Sequence, residues 1–279
     1  MMKGELDMPC SVVGKERAYE EFYQEGPEDE PANRLWSEPI ARAMRRSVGR
    51  AAGDFSMIED GDRILLGLSG GKDSLVLLHT LSELRTFSPA HFDLSACTVA
   101  LTGMDVTRLK SYCCARGVQY IVLRHPIIEI IESRNERSPC SFCANMRRGI
   151  LSTRAQESGF NKVALGHNLD DAVETFFMNI FRTGRARSFQ PKFLQDRTNV
   201  EVIRPLIYTS ETSVMNEARR LELPILTGAC PYAGKTERQR TKEILTGLKA
   251  IYPDLYSNVV NALKNINSTD RWRESLCQS

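Results

Sequence analysis

The chain has 279 residues, 42% of them hydrophobic and 26% charged, which is ordinary globular usage and excludes a wholly disordered chain, a fibrous repeat or a coiled coil. Thirty-seven basic against 35 acidic side chains leave a formal charge of only +2, so any contact with nucleic acid must come from local basic patches. No apolar run approaches the roughly 20 residues of a membrane span, and the opening MMKGELDMPCSVVGKER lacks the apolar core of a signal peptide. A cytoplasmic protein with no membrane partner is expected, and in that compartment eight cysteines point to metal or thiol chemistry more than to a disulfide framework.

Residues 1–33 are rich in charge and turn formers without a sustained apolar period, and read as a loosely ordered extension. From Leu35 to about Asp54, Ile40, Met44 and Val48 recur at helical spacing while Arg42, Arg45, Arg46 and Arg50 fill other positions, the pattern of a basic amphipathic helix. Short apolar runs then alternate with helical stretches. RILLGLS (63–69) precedes DSLVLLHTLSELRTF, LSACTVAL (94–101) precedes VTRLKSYCCARG, QYIVLRH (119–125) precedes a helix over Arg147–Ser158, and KVALGH (162–167) precedes DDAVETFFMNIFRTG. VEVIRPLI and helices near 210–221 and 236–250 follow, and 251–279 reads as a polar tail. Nearly continuous Val/Ile/Leu strands, each followed by a helix, describe a doubly wound parallel α/β sheet over 34–250, with helical appendages at the two ends. FFMNIF (176–181) reads as a buried helix. Cys97, Cys113 and Cys114, in a predicted strand and a predicted helix, read as small core residues.

In such a sheet ligands bind beyond the carboxyl ends of the strands. The first of these turns is LLGLSGGKDSLVLL, where Ser69, Gly70 and Gly71 leave a strand and Lys72, Asp73 and Ser74 open a helix. Backbone amides and a helix amino terminus converge there, as anion binding requires. The loop is not of the Walker type, which needs Gly where Leu66 stands and Ser or Thr where Asp73 stands. A carboxylate beside phosphates calls for a cation between them, so Asp73 points to magnesium. GHNLDDAVET (166–175) lies at another strand-to-helix turn: Gly166 allows close backbone approach, and Asp170 and Asp171 at the helix start can cap amides or hold a cation. His167 fits either nucleotide contact or a turn histidine bonded only to its own surroundings.

SGGKDS at Ser69–Ser74, with GHNLDDAVET, resembles the PP-loop ATP pyrophosphatase family, and the likeness runs from about Arg34 to Tyr252. It implies that ATP and Mg²⁺ bind in the α/β domain and that AMP passes to a substrate oxygen with release of pyrophosphate. ATP is then expected on Ser69, Gly70, Gly71, Lys72, Asp73, Ser74, Ala100, Gly166 and Asp171. Lys72 would steady phosphate charge, and Asp73, with Asp171, would hold magnesium.

Cys140 and Cys143 form PCSFC ahead of Arg147 and Arg148, and Cys230 stands alone in GACPYAG. A redox dithiol does not suit a chain with nucleotide machinery, and structural zinc would need a fourth ligand. A pair plus a distant third cysteine resembles the tRNA 2-thiocytidine synthetase group of the family. That resemblance implies a [4Fe-4S] cluster on Cys140, Cys143 and Cys230 with one iron open for sulfur, Cys230 acting with Lys72 and Asp73 in catalysis. The segment after Cys230, CPYAGKTERQR, lacks the second cysteine of that group. The implied activity is ATP-dependent thiolation at C2 of a pyrimidine, expected to be cytidine, in tRNA. The implied partners are tRNA and a sulfur donor, either a cysteine desulfurase or free sulfide, with a homodimer as one assembly to expect. Arg182, Arg185 and Arg187, following the GHNLDDAVET helix, are the expected RNA contacts, ahead of the Arg42–Arg50 and Arg147–Arg148 clusters. A nucleotide-binding iron–sulfur regulator without turnover and a lysidine-type ligase are the alternatives, the latter having no use for three cysteines.

Overall fold

The computed structural model describes residues 19–23, 34–226 and 237–265. The chain divides into two compact units, one of 1–168 with 190–233 and one of 169–189 with 234–279. In sequence the helical unit thus falls within and after the span 34–250 that reads as one α/β domain.

Among the described residues the sheet unit holds seven strands: β1 (Tyr19–Tyr23), β2 (Asp62–Gly67), β3 (Phe92–Ala100), β4 (Gln119–Arg124), β5 (Lys162–Ala164), β6 (Lys192–Gln195) and β7 (Val200–Ile203). Their order is β1-β4-β3-β2-β5-β7-β6, with β4, β3, β2, β5 and β7 parallel and the two edge strands antiparallel. After β2 the chain builds outward to β3 and β4, then returns to add β5 on the other side. The order thus reverses between β2 and β5, and the crevice there is where a doubly wound sheet receives its ligand.

Side-chain alternation along the strands accounts for the two covered faces. Leu65, Cys97, Val99, Ile121, Leu123 and Val163 join Ile127, Ile131, Leu151 and Ala155 in one buried cluster. It lies beneath α4 (Ile127–Ser133) and α5 (Pro139–Glu157). Other helices of this unit are α1 (Arg42–Asp54), α2 (Lys72–Phe87), α3 (Thr107–Ala115) and α7 (Glu211–Arg220). α2 is buried from Ser74 to Glu83, packed by β2 and β3 and by α1 and α7. The second unit comprises α6 (Leu169–Thr183), α8 (Glu237–Ile251) and α9 (Leu255–Lys264), joined through Val173, Leu245, Tyr256 and Val259.

Four expectations need correction. Tyr19–Tyr23, within the supposed loose extension, pairs antiparallel with Tyr120–Arg124. The supposed tail contains α9, whose Tyr256 and Val259 are buried at helical spacing. Only the first turns of α6 are buried, whereas Ile180 and Phe181 of FFMNIF are exposed. Cys114 is exposed, while Cys97 and Cys113 are buried as expected. The basic helix starts at Arg42 because Pro39 separates it from a 3-10 turn over Arg34–Ser37, and Ile40, Met44 and Val48 are buried as their spacing predicts.

Candidate active site at the carboxyl ends of β2 and β5

The SGGKDS loop leaves β2 and is tied together by its own serines. Buried Ser74 donates through Oγ to the Gly71 carbonyl (2.9 Å) and accepts from the Ser69 amide (3.1 Å), while the Ser69 and Ser74 hydroxyls lie 3.1 Å apart. Gly70 has φ +80°, and a β-carbon there would lie 2.8 Å from Leu226 Cδ1, so only glycine fits the turn. The Leu226 amide donates to the Gly70 carbonyl at 2.9 Å, closing the loop from behind. The first-turn amides of α2 have no preceding helical carbonyl to bond and point toward the loop. The loop thus presents backbone amides at a helix start in a fixed shape, the geometry that anion binding requires.

Lys72 and Asp73 take their positions from one another and from distant residues. Lys72 Nζ lies 2.9 Å from Asp73 Oδ2 and 3.1 Å from Glu211 Oε1 at the start of α7. Burial alone would lower the Lys72 pKa, but the two carboxylates outweigh it and hold the ammonium above its ordinary value. Asn168 Nδ2 donates to Asp73 Oδ1 at 2.8 Å. Each carboxylate oxygen keeps a second lone pair, so Asp73 can still ligate a magnesium ion. Glu211 and Asn168 are absent from the predicted site. Asn168 stands within the GHN motif, whereas Glu211, 139 positions from Lys72, leaves no local signal.

The GHN turn after β5 is pressed onto this loop. A β-carbon on Gly166 would meet the Ser74 nitrogen at 2.9 Å and the Asp73 carbonyl carbon at 3.0 Å, which is the close approach read from the sequence. Next to it, Arg204 Nε donates to His167 Nδ1 at 3.1 Å. A guanidinium cannot accept, so Nδ1 is the bare nitrogen and the neutral ring carries its proton on Nε2. Arg204 is buried in the turn after β7, its guanidinium over the Phe193 ring and bonded to the Gln190 carbonyl. Burial, then the positive charge of Arg148, lowers its pKa to about 10, which leaves it charged at neutral pH. Ala100 ends β3 buried, its carbonyl accepting from the His125 amide at 2.9 Å. Ser69–Ser74, Ala100 and Gly166 thus share the carboxyl ends of the parallel strands.

Cys140 and Cys143 lie on the first turn of α5, earlier than the helix expected from Arg147. Pro139 occupies the first helical position, where its missing amide hydrogen costs nothing. Three residues apart, the two thiols share one helix face, Cys140 exposed and Cys143 half-buried against the core. Cys143 and Leu165, the residue before the GHN turn, pack against the same buried cluster as Leu151 of α5, so the cysteine helix and the GHN turn belong to one neighbourhood. An all-thiol pair at a positive helix end suits an anionic iron–sulfur group better than a hard cation. Among the described residues no group of three or more His, Cys, Asp or Glu side chains is arranged to hold a metal ion. Cys230 lies outside the described residues, as do Cys10 and Cys277.

In the helical unit, Asp171 Oδ1 accepts from Arg238 Nη1 at 2.6 Å. Arg182 Nε donates to Glu237 at 3.1 Å, which offsets its charge, while Arg185 and Arg187 are exposed.

Residues 41–245 match the family model described as a PP-loop domain. The tRNA-cytidine(32) 2-sulfurtransferase of Geobacter metallireducens is 37% identical over 246 residues, covering 85% of this chain and 96% of the relative. Its counterpart in Geobacter sulfurreducens is 38% identical over 233 residues, 81% of this chain and 90% of the relative. The solved structure of the U34-tRNA thiolase NcsA from Methanococcus maripaludis, with its [4Fe-4S] cluster, superposes with a TM-score of 0.66 at 26% identity, covering 81% of this chain and 79% of that one. With the family model spanning most of the chain and relatives more than a third identical over most of their length, the chain belongs to the PP-loop ATP pyrophosphatase family, alongside the tRNA-cytidine 2-sulfurtransferases.

Proposed function

We propose that this protein is an ATP-dependent tRNA sulfurtransferase that replaces the C2 oxygen of a cytidine, at position 32 as in the named relatives, with sulfur. The observation that carries the reading is the meeting, in one sheet unit, of a phosphate cradle at the β2–β5 switch point and a helix that starts with two thiols. Two readings weighed on sequence fare less well. A lysidine-type ligase has no use for the thiols, and a regulator without turnover leaves the Lys72–Asp73–Glu211 cluster at the phosphate site without a task.

The chemistry proceeds in two displacements. The cytidine C2 oxygen attacks the α-phosphorus of ATP and pyrophosphate leaves; sulfide then attacks C2, and AMP departs with the former base oxygen. The α2 amides and Lys72 hold the phosphates, and Lys72 can exchange a carboxylate for a phosphate oxygen without losing a counter-charge. Asp73, oriented by Asn168 Nδ2, would hold a magnesium ion, which would supply charge neutralisation for the phosphates. His167, oriented by Arg204, stands in the turn pressed onto the cradle, near where negative charge develops on the transferring phosphoryl group. Cys140 and Cys143, with Cys230, would hold the [4Fe-4S] cluster. When bound, such a cluster supplies one iron without a cysteine ligand, where sulfur can be presented to the activated base. Asp171 and the exposed Arg185 and Arg187 serve nucleotide and RNA respectively in this reading. The cytoplasm, where tRNA and sulfide-generating enzymes meet, is the proposed location, and no described helix is long and apolar enough to cross a membrane.

The test is pyrophosphate release by anaerobically prepared protein with ATP and magnesium. Release that requires added tRNA supports the reading, and release indifferent to tRNA contradicts it.

A further inference from the structure

The exposed side of α1 carries a concentration of positive charge that the site described above does not use. Arg42, Arg46 and Arg50 recur every four residues, a rise of about 6 Å per step, and all three are exposed. None forms an ion pair with the described residues, and the only acidic residue of the helix is Asp54 at its end. That carboxylate already accepts from the Tyr208 hydroxyl at 2.9 Å. Arg182, the leading sequence-based choice for RNA, is by contrast bonded to Glu237.

Two further features separate this stripe from an ordinary solvated face. Arg42, Arg45 and Arg46 alone line an open hollow of about 310 Å³, and the buried Nε of Arg45 has no hydrogen-bond partner among the described residues. Aromatic rings adjoin the basic residues of this helix at two points. Arg45 lies over Phe87, which is 68% exposed, and Arg50 lies over Tyr208 at 4.7 Å from the ring centre. Guanidinium groups interleaved with reachable rings suit a chain of phosphates and bases.

The stripe also leads to the reaction site. Tyr208 stands in the turn between β7 and α7, three residues before Glu211, which pairs with Lys72 of the phosphate loop. A strand following Arg42, Arg46 and Arg50 therefore arrives at the rim of the nucleotide site.

We propose that the outer face of α1 is a docking surface for the phosphodiester backbone of the RNA substrate, with the arginine-lined hollow taking one phosphate. This rests on the reading of the chain as a tRNA-modifying enzyme. The surface sets affinity and leaves the sequence to be read elsewhere, because phosphate contacts carry no base information.

The experiment measures binding of a tRNA transcript to the full chain over a series of salt concentrations, for the wild type and for Arg42→Gln/Arg46→Gln. Each lost phosphate contact should reduce the slope of log affinity against log salt by about 0.7 to 0.9, so the pair should lower it by roughly 1.4 to 1.8 and weaken binding about tenfold at moderate salt. ATP binding should not change, and Arg108→Gln, at an exposed position of α3, should leave the slope intact. Arg42→Lys/Arg46→Lys should restore the slope, which keeps the test valid if the glutamine pair folds poorly. Wild-type RNA binding with an unchanged slope in the glutamine pair overturns the docking surface and leaves the proposed activity standing. Failure of the wild type to bind tRNA at all overturns both.

Discussion

The same central strands carry a charged cluster at each end, and the two clusters differ in kind. At the amino ends of β2, β5 and β7, Lys162 Nζ lies 2.8 Å from Asp62 and 3.3 Å from both Glu59 and Glu201. Lys162 and Asp62 are 3% and 4% exposed, and Lys162 also donates to the Met57 carbonyl. At the carboxyl ends, Lys72 and Asp73 are 18% and 25% exposed and share their bonds with Glu211 and Asn168. The first cluster is closed at its centre, where Lys162 and Asp62 are buried and bonded within the fold, and only its rim carboxylate Glu59 is exposed. The second is open, so a phosphate oxygen or a cation can replace one of its members. A buried ion pair contributes to the fold chiefly through the cost of breaking it, whereas a half-open cluster can exchange partners during a reaction.

The comparison is broken most severely at the open end. Asp73→Asn should keep its bond to Asn168 and its fold, yet lose magnesium-supported turnover by on the order of 10²–10³-fold. Pyrophosphate release set beside the thermal midpoint checks this: a large fall in both would make Asp73 structural. At the closed end, Lys162→Met should leave the buried Asp62 carboxylate without its cation, while Glu201 keeps Lys192 at 3.0 Å, and should cost about 3–5 kcal/mol of stability, with turnover per folded molecule unchanged. Burial alone would lower the Lys162 pKa, but its carboxylates hold it above the ordinary 10.5. The cluster's contribution is therefore complete below that value and is lost as pH rises through the raised one. Urea midpoints of wild type and variant should converge only in strongly alkaline buffer.

Gly166→Ala sharpens the open end without touching a charge. Its methyl would meet backbone atoms of Asp73 and Ser74 at 2.9–3.0 Å, neither of which can rotate away. A cost of about 1–3 kcal/mol is expected from overpacking, together with weaker ATP binding by calorimetry, whereas Gly149→Ala, with open space around it, should be silent. The smallest effect is expected behind His167. Arg204→Met should release the ring from its single tautomer and lower the maximal rate about tenfold with little change in the ATP requirement. Nitrogen chemical shifts of His167 should move toward a tautomer mixture; unchanged shifts would show that Arg204 does not set it.

Much of this was legible because local chemistry and global position coincide in the glycine loop. SGGKDS combines a strand end, a glycine with positive φ and a helix start within six residues, and the GHN turn needs its glycine for one close contact. The cysteine helix was placed too late because the apolar period begins after Arg147, although Ser138-Pro139 is itself a helix-start signal. Glu211 and Arg204 were not assigned as partners of Lys72 and His167, because those contacts depend on tertiary closure. Tyr19–Tyr23 was obscured by the charged segment around it, since an edge strand depends on its neighbour for register. The helical unit misled in the opposite sense: FFMNIF is apolar enough for a core, yet only part of it finds cover.

The central claim is that ATP-dependent activation and a thiol-bound cluster act together on tRNA cytidine. Nucleoside mass spectrometry of tRNA, after anaerobic incubation with the iron-loaded protein, ATP, magnesium and sulfide, tests it most directly, with Cys140→Ser in parallel. The account predicts 2-thiocytidine from the wild type only, and a Cys140→Ser protein that has lost its iron while still binding ATP. Full thiolation by Cys140→Ser, or no thiolated nucleoside from an iron-replete wild type, would contradict it.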